Sequence, residues 1–388
     1  MNELICIIID FLYVYFLLCT IYISFFSIIS YFYKPIKIKE SNVLRKFAVL
    51  VPAYKEDAVI NECVDSLINQ SYCKWNYDIH VISEGMSLET NNSLRNKNVF
   101  LYEINFENSS KANSLMYVSK ELKQYDYIVI IDADNMLPYN YLRDINTFVC
   151  STNCIALQTH RRYKSICNNI SFMDSVIEEM NNTIYRKGHN AIHLSSSIIG
   201  SGIVLDYKWF LDNVLNLNST GEDKEIEEKL LIQNKYIYYS DKIIFEDEKI
   251  NNRSNMKYQR RRWLATQLYL LKILFYNLTS VIKKGNINYL FKIYETIILP
   301  KSLLVGFIFV ISIIITTINP YDSISWWTLF IILLISLFIA IPNELRDKRL
   351  IKCIILDTPF FILMMFFNIF KIRNADKKFI HTQHGNKL

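Results

Sequence analysis

Tyr127-Ile128-Val129-Ile130-Ile131-Asp132-Ala133-Asp134 is the stretch on which the fold turns. Its apolar run reads as a strand over 127–131, and it stops abruptly at two carboxylates one residue apart. Two anions at a strand exit call for a cation. One or two carboxylates, with diphosphate oxygens completing the shell, are the usual way Mg2+ or Mn2+ is held beside a nucleotide. Taken alone, Asp-x-Asp is a weak signal, because turns are rich in Asp.

Working outward, β-rich runs at 47–51, 78–82 and 99–103 alternate with helical stretches at 59–70 and 111–122. That alternation predicts an α/β fold with a mostly parallel sheet. Ligands in such sheets sit beyond the carboxyl ends of the strands, so the residues after each strand are the place to look for chemistry. The first strand runs into Pro52-Ala53-Tyr54-Lys55-Glu56, where Tyr54 can pack on a base and Glu56 can bond a ribose or base edge. A proline turn with a helix-capping Glu is the plainer alternative. After the second strand stands Glu84, and Lys111 opens a helix after a Ser pair, within reach of a phosphate or of solvent.

Further on, Gly200-Ser201-Gly202 either lets the backbone approach a sugar, with Gly202 at the contact, or forms a turn. Gly221-Glu222-Asp223 precedes an amphipathic helix at 224–233 and offers either a helix cap or a general base. In Gln259-Arg260-Arg261-Arg262-Trp263, positions 259, 262 and 263 fall on one helical face, joining an amide, a guanidinium and an indole. Diphosphate contact and sugar stacking is one role for that face, and a basic aromatic helix at a membrane surface is the other.

The ends of the chain differ from its middle. Residues 4–33 are almost wholly apolar and read as an uncleaved membrane helix; Lys34, Lys37, Lys39, Arg45 and Lys46 follow and place the next domain in the cytoplasm. Apolar segments at 296–318, 325–341 and 351–370 close the chain, separated by a turn at 319–323 and a basic loop at 346–352. The turn is expected outside and the basic loop inside. A simple count of spans places the tail outside, whereas Lys371, Arg373, Lys377, Lys378 and Lys387 argue for inside; a re-entrant or interfacial course of the last segment, interrupted by Asp357-Thr358-Pro359, is one way to reconcile the two. The division is a membrane helix at 1–34, a catalytic domain at 44–285, a membrane region at 286–372 and a basic tail at 373–388. A net charge of +6, in a chain rich in Lys throughout, gives nucleic-acid binding little support. Eight Cys without a CxxC pair indicate neither zinc nor a disulfide framework, and His160, His189 and His193 are not spaced like a zinc site.

In order, these motifs resemble the membrane-bound processive branch of family 2 glycosyltransferases, which includes cellulose, hyaluronan, poly-N-acetylglucosamine and chitin-oligosaccharide synthases. The likeness spans about residues 44–270. It implies a GT-A fold, a nucleotide-sugar donor, Mg2+ or Mn2+, and inversion at the anomeric carbon. Pro52, Ala53, Tyr54 and Glu56 match the nucleoside segment, Lys111 the lysine near the diphosphate, and Asp132 and Asp134 the DxD, with Asp134 on the metal. Asp223 matches the base of the TED or GED motif, with Glu222 beside it in the catalytic set. Gln259, Arg262 and Trp263 match QxxRW, where Trp263 with Gln259 flanks the acceptor and Arg262 the diphosphate. Glu84 stands where the family usually has Asp. The clusters Glu178-Glu179-Met180-Asn181-Asn182 and Arg186-Lys187-Gly188-His189 fall in the region that lines the family's acceptor site, but in a chain this rich in Asn and Lys they read as a solvated helix.

The expected function is extension of an exported β-linked glycan at the cytoplasmic face of the inner membrane, from a UDP-sugar. The partners are a nucleotide-sugar donor, a glycan or lipid-linked acceptor and membrane lipid. With fewer membrane segments than cellulose synthases, the protein either forms a channel as a homo-oligomer or forms none. The alternatives are transfer of one sugar to a polyprenyl-phosphate or lipid-linked acceptor, and an inactive scaffold for glycan export.

Overall fold

A computed structural model describes residues 3–39, 41–215, 217 and 221–371, so the basic tail at 373–388 lies outside the described residues. The strands are β1 (Phe47–Tyr54), β2 (Tyr77–Glu84), β3 (Phe100–Ile104), β4 (Tyr127–Ile130), β5 (Ala156–Tyr163), β6 (Ile203–Asp206) and β7 (Ile237–Asp247). They make one sheet in the order β3-β2-β1-β4-β6-β5-β7. The first four are parallel neighbours, β6 runs antiparallel to both β4 and β5, and β7 is parallel to β5. Every strand but β6 therefore points its carboxyl end at the same edge of the sheet, and β6 begins there.

The helices are α1 (Glu3–Ile29), α2 (Ile60–Ile68), α3 (Leu88–Arg95), α4 (Lys111–Glu121), α5 (Tyr141–Thr152), α6 (Asn169–Asn181), α7 (His189–Ala191), α8 (Tyr207–Val214), α9 (Glu222–Ile232), α10 (Arg253–Tyr276), α11 (Leu278–Lys283), α12 (Ile287–Ile297), α13 (Lys301–Ile318), α14 (Pro320–Ala340), α15 (Lys348–Leu356) and α16 (Thr358–Ile369). A π-helical stretch, Asn182–Gly188, joins α6 to α7.

Strand alternation builds the two layers around the sheet. Phe47, Val49 and Val51 pack with Cys63, Val64 and Leu67 of α2 and with Leu142 and Ile145 of α5. The intervening Ala48 and Leu50 pack on the other face with Leu115 and Val118 of α4. Leu50 is fully buried, and its truncation to Ala would cost about 2–5 kcal/mol.

The strands β5, β6 and β7 are additions to the four runs expected from sequence. In β5 the apolar start gives way to Gln158-Thr159-His160-Arg161-Arg162, and in β7 Ser240-Asp241-Lys242 interrupts the apolar pattern. β5 turns its later polar side chains toward a charged interior, whereas β7 breaks at an exposed Lys242, returns to the core at Ile243 and Phe245 and reaches the charged interior only at Asp247, so neither shows an unbroken period-2 signal.

A third apolar cluster joins Phe16, Cys19, Tyr22, Ile23 and Phe26 of α1 to Phe172 and Val176 of α6, and to α13, α14 and α16. Among the described residues three helices, Cys6–Phe32, Lys301–Ile318 and Pro320–Ala340, are long and apolar enough to cross a membrane. The expected segments differ in detail. Pro300 separates α12 from α13, so the apolar helix starts at Lys301 and not at 296. Residues 319–323, expected as a turn, form the cap and first turn of α14: the Asn319 side chain accepts a hydrogen bond from the Tyr321 amide at 3.1 Å. The last segment breaks at Asp357 into α15 and α16, bent by 45°.

Candidate active site

The strand ends open onto one cavity of about 530 Å³. Pro52, Ala53, Tyr54 and Glu56 line it from the exit of β1, Glu84 from β2, Asp132 and Asp134 from just beyond β4, and Lys111 from the first position of α4. Lys111 Nζ bonds the Asp132 carboxylate, donates to the Gly200 carbonyl at 2.5 Å, and stands 3.7 Å from Glu222 Oε1. Burial pushes the Lys111 ammonium down, but Asp132 and Glu222 more than offset this and leave it above its ordinary value. Glu84 Oε1 accepts from the Phe106 amide at 3.2 Å and from Ser109 Oγ at 2.6 Å, tying the loop before α4 to the β2 exit.

Ser201 Oγ accepts from the Asp132 amide at 2.9 Å, so the turn into β6 steadies the Asp-x-Asp segment. The structure does not bring Gly202 to the cavity. Its φ is +65°, and a Cβ there would lie 2.1 Å from the Phe245 ring of β7. Gly200, two residues earlier, is the glycine on the cavity wall. Gly202 thus serves a tight turn packed on β7, and its place at a sugar is withdrawn on that ground.

Opposite the Asp-x-Asp segment, α9 begins at Glu222, and Glu222 and Asp223 both line the cavity. A Cβ on Gly221 would fall 2.3 Å from Thr266 Cγ2 of α10, so the start of α9 presses directly on that helix. Glu222 is buried, and its carboxyl is pushed up to about 7 by that burial, against Lys111 and with help from Asp223 and Asp132. Asp223 is more open, with Oδ2 3.8 Å from Lys224 Nζ. From α10, Gln259, Arg262 and Trp263 all reach the same cavity. The Arg260 guanidinium lies 4.4 Å from the Trp263 ring centroid and bonds Asp174 at 2.5 Å, which fixes the indole from behind. Gln259 Oε1 is buried without a hydrogen-bond partner. An orphan acceptor of this kind suits a hydroxyl donor from a bound ligand.

The membrane-ward half of the cavity contradicts the solvated-helix expectation for 178–189. Glu178, Glu179, Asn182, Arg186 and His189 are all buried. They tolerate burial because they satisfy one another. Arg186 bonds Glu178 at 3.2 Å and Asn182 at 2.6 Å. Burial raises the Glu178 carboxyl, yet Arg186 and Arg161 bring it down to about 2. The π-helical turn carries Tyr185 and Arg186 to the cavity wall. Arg161 from the end of β5, Asp247 and Lys249 from the end of β7, and Lys292 and Glu295 from α12 complete this lining. The β7 exit was legible by the same strand-end rule that found Asp132, had β7 itself been recognised.

Among the described residues no group of three or more His, Cys, Asp or Glu is gathered around a metal position. The paired hard oxygens of Asp132 and Asp134 fit Mg2+ or Mn2+ that takes its remaining ligands from a diphosphate and water.

No curated protein matches the chain in sequence. Among solved structures, the mannosyltransferase PcManGT from Pyrobaculum calidifontis, in complex with GDP-Man and Mn2+, is similar with a TM-score of 0.52 and 13% identity, over 88% of this chain and 90% of its own. S. aureus TarS 1-349 in complex with UDP-GlcNAc covers 85% of this chain and 91% of its own at 13% identity, with a TM-score of 0.41. At such identity the PcManGT likeness speaks for the fold alone, a GT-A α/β fold. Residues 127–341, more than half the chain, match the family described as glycosyl transferase family group 2. With a sheet, strand-end cavity and carboxylate pairs of this kind behind that match, the chain belongs to glycosyl transferase family group 2.

Proposed function

We propose that the protein is a membrane-bound, inverting transferase that moves a sugar from a nucleotide-diphosphate donor, a UDP-sugar in the first instance, to a β-linked glycan at the cytoplasmic face of the membrane. The observation that carries this is the meeting of Asp132, Asp134, Lys111, Glu222, Asp223, Gln259, Arg262 and Trp263 around one cavity. The catalytic domain is read as 44–285, between membrane segments at 1–34 and 286–372.

Pro52, Ala53, Tyr54, Glu56 and Glu84 hold the nucleoside at the β1–β2 end. Lys111 and Arg262 neutralise the diphosphate as it departs. Asp132 and Asp134 would hold Mg2+ or Mn2+, whose charge when bound assists the same departure. PcManGT, which shares the fold, was solved with GDP-Man and Mn2+, the ligand classes proposed here. Asp223 takes the proton from the acceptor hydroxyl as its oxygen attacks the anomeric carbon opposite the leaving group, which converts an α-linked donor to a β-linked product. Glu222, buried beside Lys111 with its carboxyl raised to about 7, stands next to Asp223 as the second acid of the catalytic set. Trp263 and Gln259 receive the acceptor sugar, Gln259 through its orphan carbonyl oxygen.

A second reading, addition of one sugar to a lipid-linked acceptor, is favoured by Phe361, Met364 and Met365, which give the same cavity an apolar wall from α16. The purified protein in detergent, offered a panel of labelled nucleotide sugars with Mg2+, Mn2+ or chelator, should consume at least one donor in a metal-dependent way. Product length separates polymer from single addition. Intact protein that turns over no donor would leave only a scaffold.

A further inference from the structure

Lys224 follows the proposed base directly, in the first turn of α9, where a cation opposes the helix dipole and a long side chain ordinarily extends outward. Here it folds back on its own helix. Its Nζ bonds the Ile198 carbonyl, donates to Glu227 Oε2 at 3.0 Å, and stands 3.8 Å from Asp223 Oδ2. Glu227, one turn further along α9, is 1% exposed, and its other oxygen pairs with Lys292 of α12 at 2.7 Å. Lys292 in turn holds Glu295 at 2.7 Å and Ser197 Oγ at 3.1 Å. The transfer steps proposed for the cavity use neither Lys224 nor Glu227.

A buried carboxylate needs a counter-charge, and Lys292 alone would supply it and fasten α9 to α12. The second cation on Glu227 does something more. Through Ile198, Lys224 ties the start of α9 to the segment 197–201, whose Gly200 carbonyl accepts from Lys111 at 2.5 Å and whose Ser201 Oγ accepts from the Asp132 amide at 2.9 Å. One short stretch of backbone thus sets the spacing between Asp223 and the Asp-x-Asp side of the cavity. The 3.8 Å gap matters as well. It is beyond hydrogen-bond reach but within range of attraction, so the ammonium steadies the Asp223 carboxylate without occupying that oxygen. Glu227 keeps the ammonium at that distance.

We propose that Lys224, tethered by Glu227, is a positioning residue of the transfer: it holds Asp223 at the attack side of the cavity, in register with the site of the departing diphosphate. Lys224 acts only through Asp223 and has no part in the proton transfer itself. This deepens the transferase reading and rests on it, with Asp223 as the base.

The test uses the full chain in detergent, with the donor found in the panel and an acceptor that reacts with it. Every rate is expressed per nucleotide-binding site, counted with labelled donor, so that unfolded protein drops out. Lys224→Met should lower transfer about 10–100-fold while KM for the donor stays within about threefold, the loss expected of a misplaced catalytic group. Lys224→Arg should keep most of the rate, and Glu227→Gln should lower it in the same sense as Lys224→Met. Combined with Asp223→Asn, Lys224→Met should cost less than about twofold more, because a residue that acts through the base has nothing left to position. Equal losses with and without Asp223→Asn, or a full rate per site in Lys224→Met, would overturn the proposal. So would equal losses in Lys224→Arg and Lys224→Met, a comparison that stands even when Asp223→Asn is too slow to measure. A fully active Asp223→Asn would overturn it by removing the base, whereas an unaltered protein that turns over no donor would mean that the transferase reading had failed first.

Discussion

At the residue scale, two adjacent acids at the start of α9 divide the work because their surroundings differ. Asp223 faces the cavity from a partly open position, and Glu222 is buried against Lys111. Replacing Asp223 by Asn should lower transfer by about 10²–10⁴-fold while donor affinity, measured by nucleotide-sugar binding, stays within a few-fold; an active variant would remove Asp223 from the role of base. Glu222 makes a separate prediction about stability. Unfolded, its carboxyl titrates at the ordinary value of 4.5, whereas folded it keeps its proton to about 7. Across that window the folded state binds the extra proton, so Glu222 contributes stability at the acid end that is lost as pH rises. Glu222→Gln should therefore flatten the fall in thermal stability between those two pH values, and an unchanged slope would mean that burial is not what raises this group. Asp132, Asp223 and Trp263 were legible in the sequence because each stands in a compact motif at a strand exit or on a helix face. Arg161, Asp247 and Lys292 were not, since each owes its place to partners far along the chain.

At the scale of elements, α10 is the part that gathers the site. It presses on α9 at Gly221 through Thr266, carries Gln259, Arg262 and Trp263 into the cavity, and is backed by α16, whose Asn368 Nδ2 donates to the Lys257 carbonyl at 3.1 Å. Trp263→Ala should raise KM for acceptor by about tenfold while donor hydrolysis changes less, as expected for one lost stacking surface; equal losses in both would place the indole on the donor. The start of α7, just after the π-helical turn, anchors α1 in turn. His189 Nδ1 faces the Ser195 carbonyl at 3.0 Å and must donate, so Nε2 is the acceptor for Tyr22 OH at 2.6 Å. Burial lowers the His189 ring below its usual value, consistent with that neutral form. Tyr22→Phe leaves a buried acceptor unpaired and should cost about 1–3 kcal/mol in detergent unfolding; no change would mean that α1 is held by packing alone. The first four strands could be read from sequence because their apolar runs are continuous, as expected of strands covered on both faces. The last three could not, because β5 turns to the charged interior, β7 breaks at Lys242 and β6 is only four residues long.

At the scale of the molecule, the sheet and the apolar helices share one cavity, whose proposed nucleotide end lies at the sheet edge and whose proposed acceptor end lies against α13 and α16. Among the described residues three helices meet the length and polarity of a membrane span, and α16 of the bent α15–α16 pair packs on α10. The basic residues after α1 were enough to suggest on which side the domain lies, but the break at Pro300 and the bend at Asp357 needed the fold, since hydropathy runs through both. Cys167 is exposed and unpaired by disulfide, so a membrane-impermeant thiol reagent should reach it in inside-out vesicles and not in intact cells; labelling of intact cells would put the domain outside. The most direct test of an inverting transferase at the strand-end cavity is anomeric NMR of the product formed from an α-linked nucleotide sugar, with Asp223→Asn as control. A β-linked product from the unaltered protein and none from the variant is the predicted result, and an α-linked product, or equal product from both proteins, would contradict it.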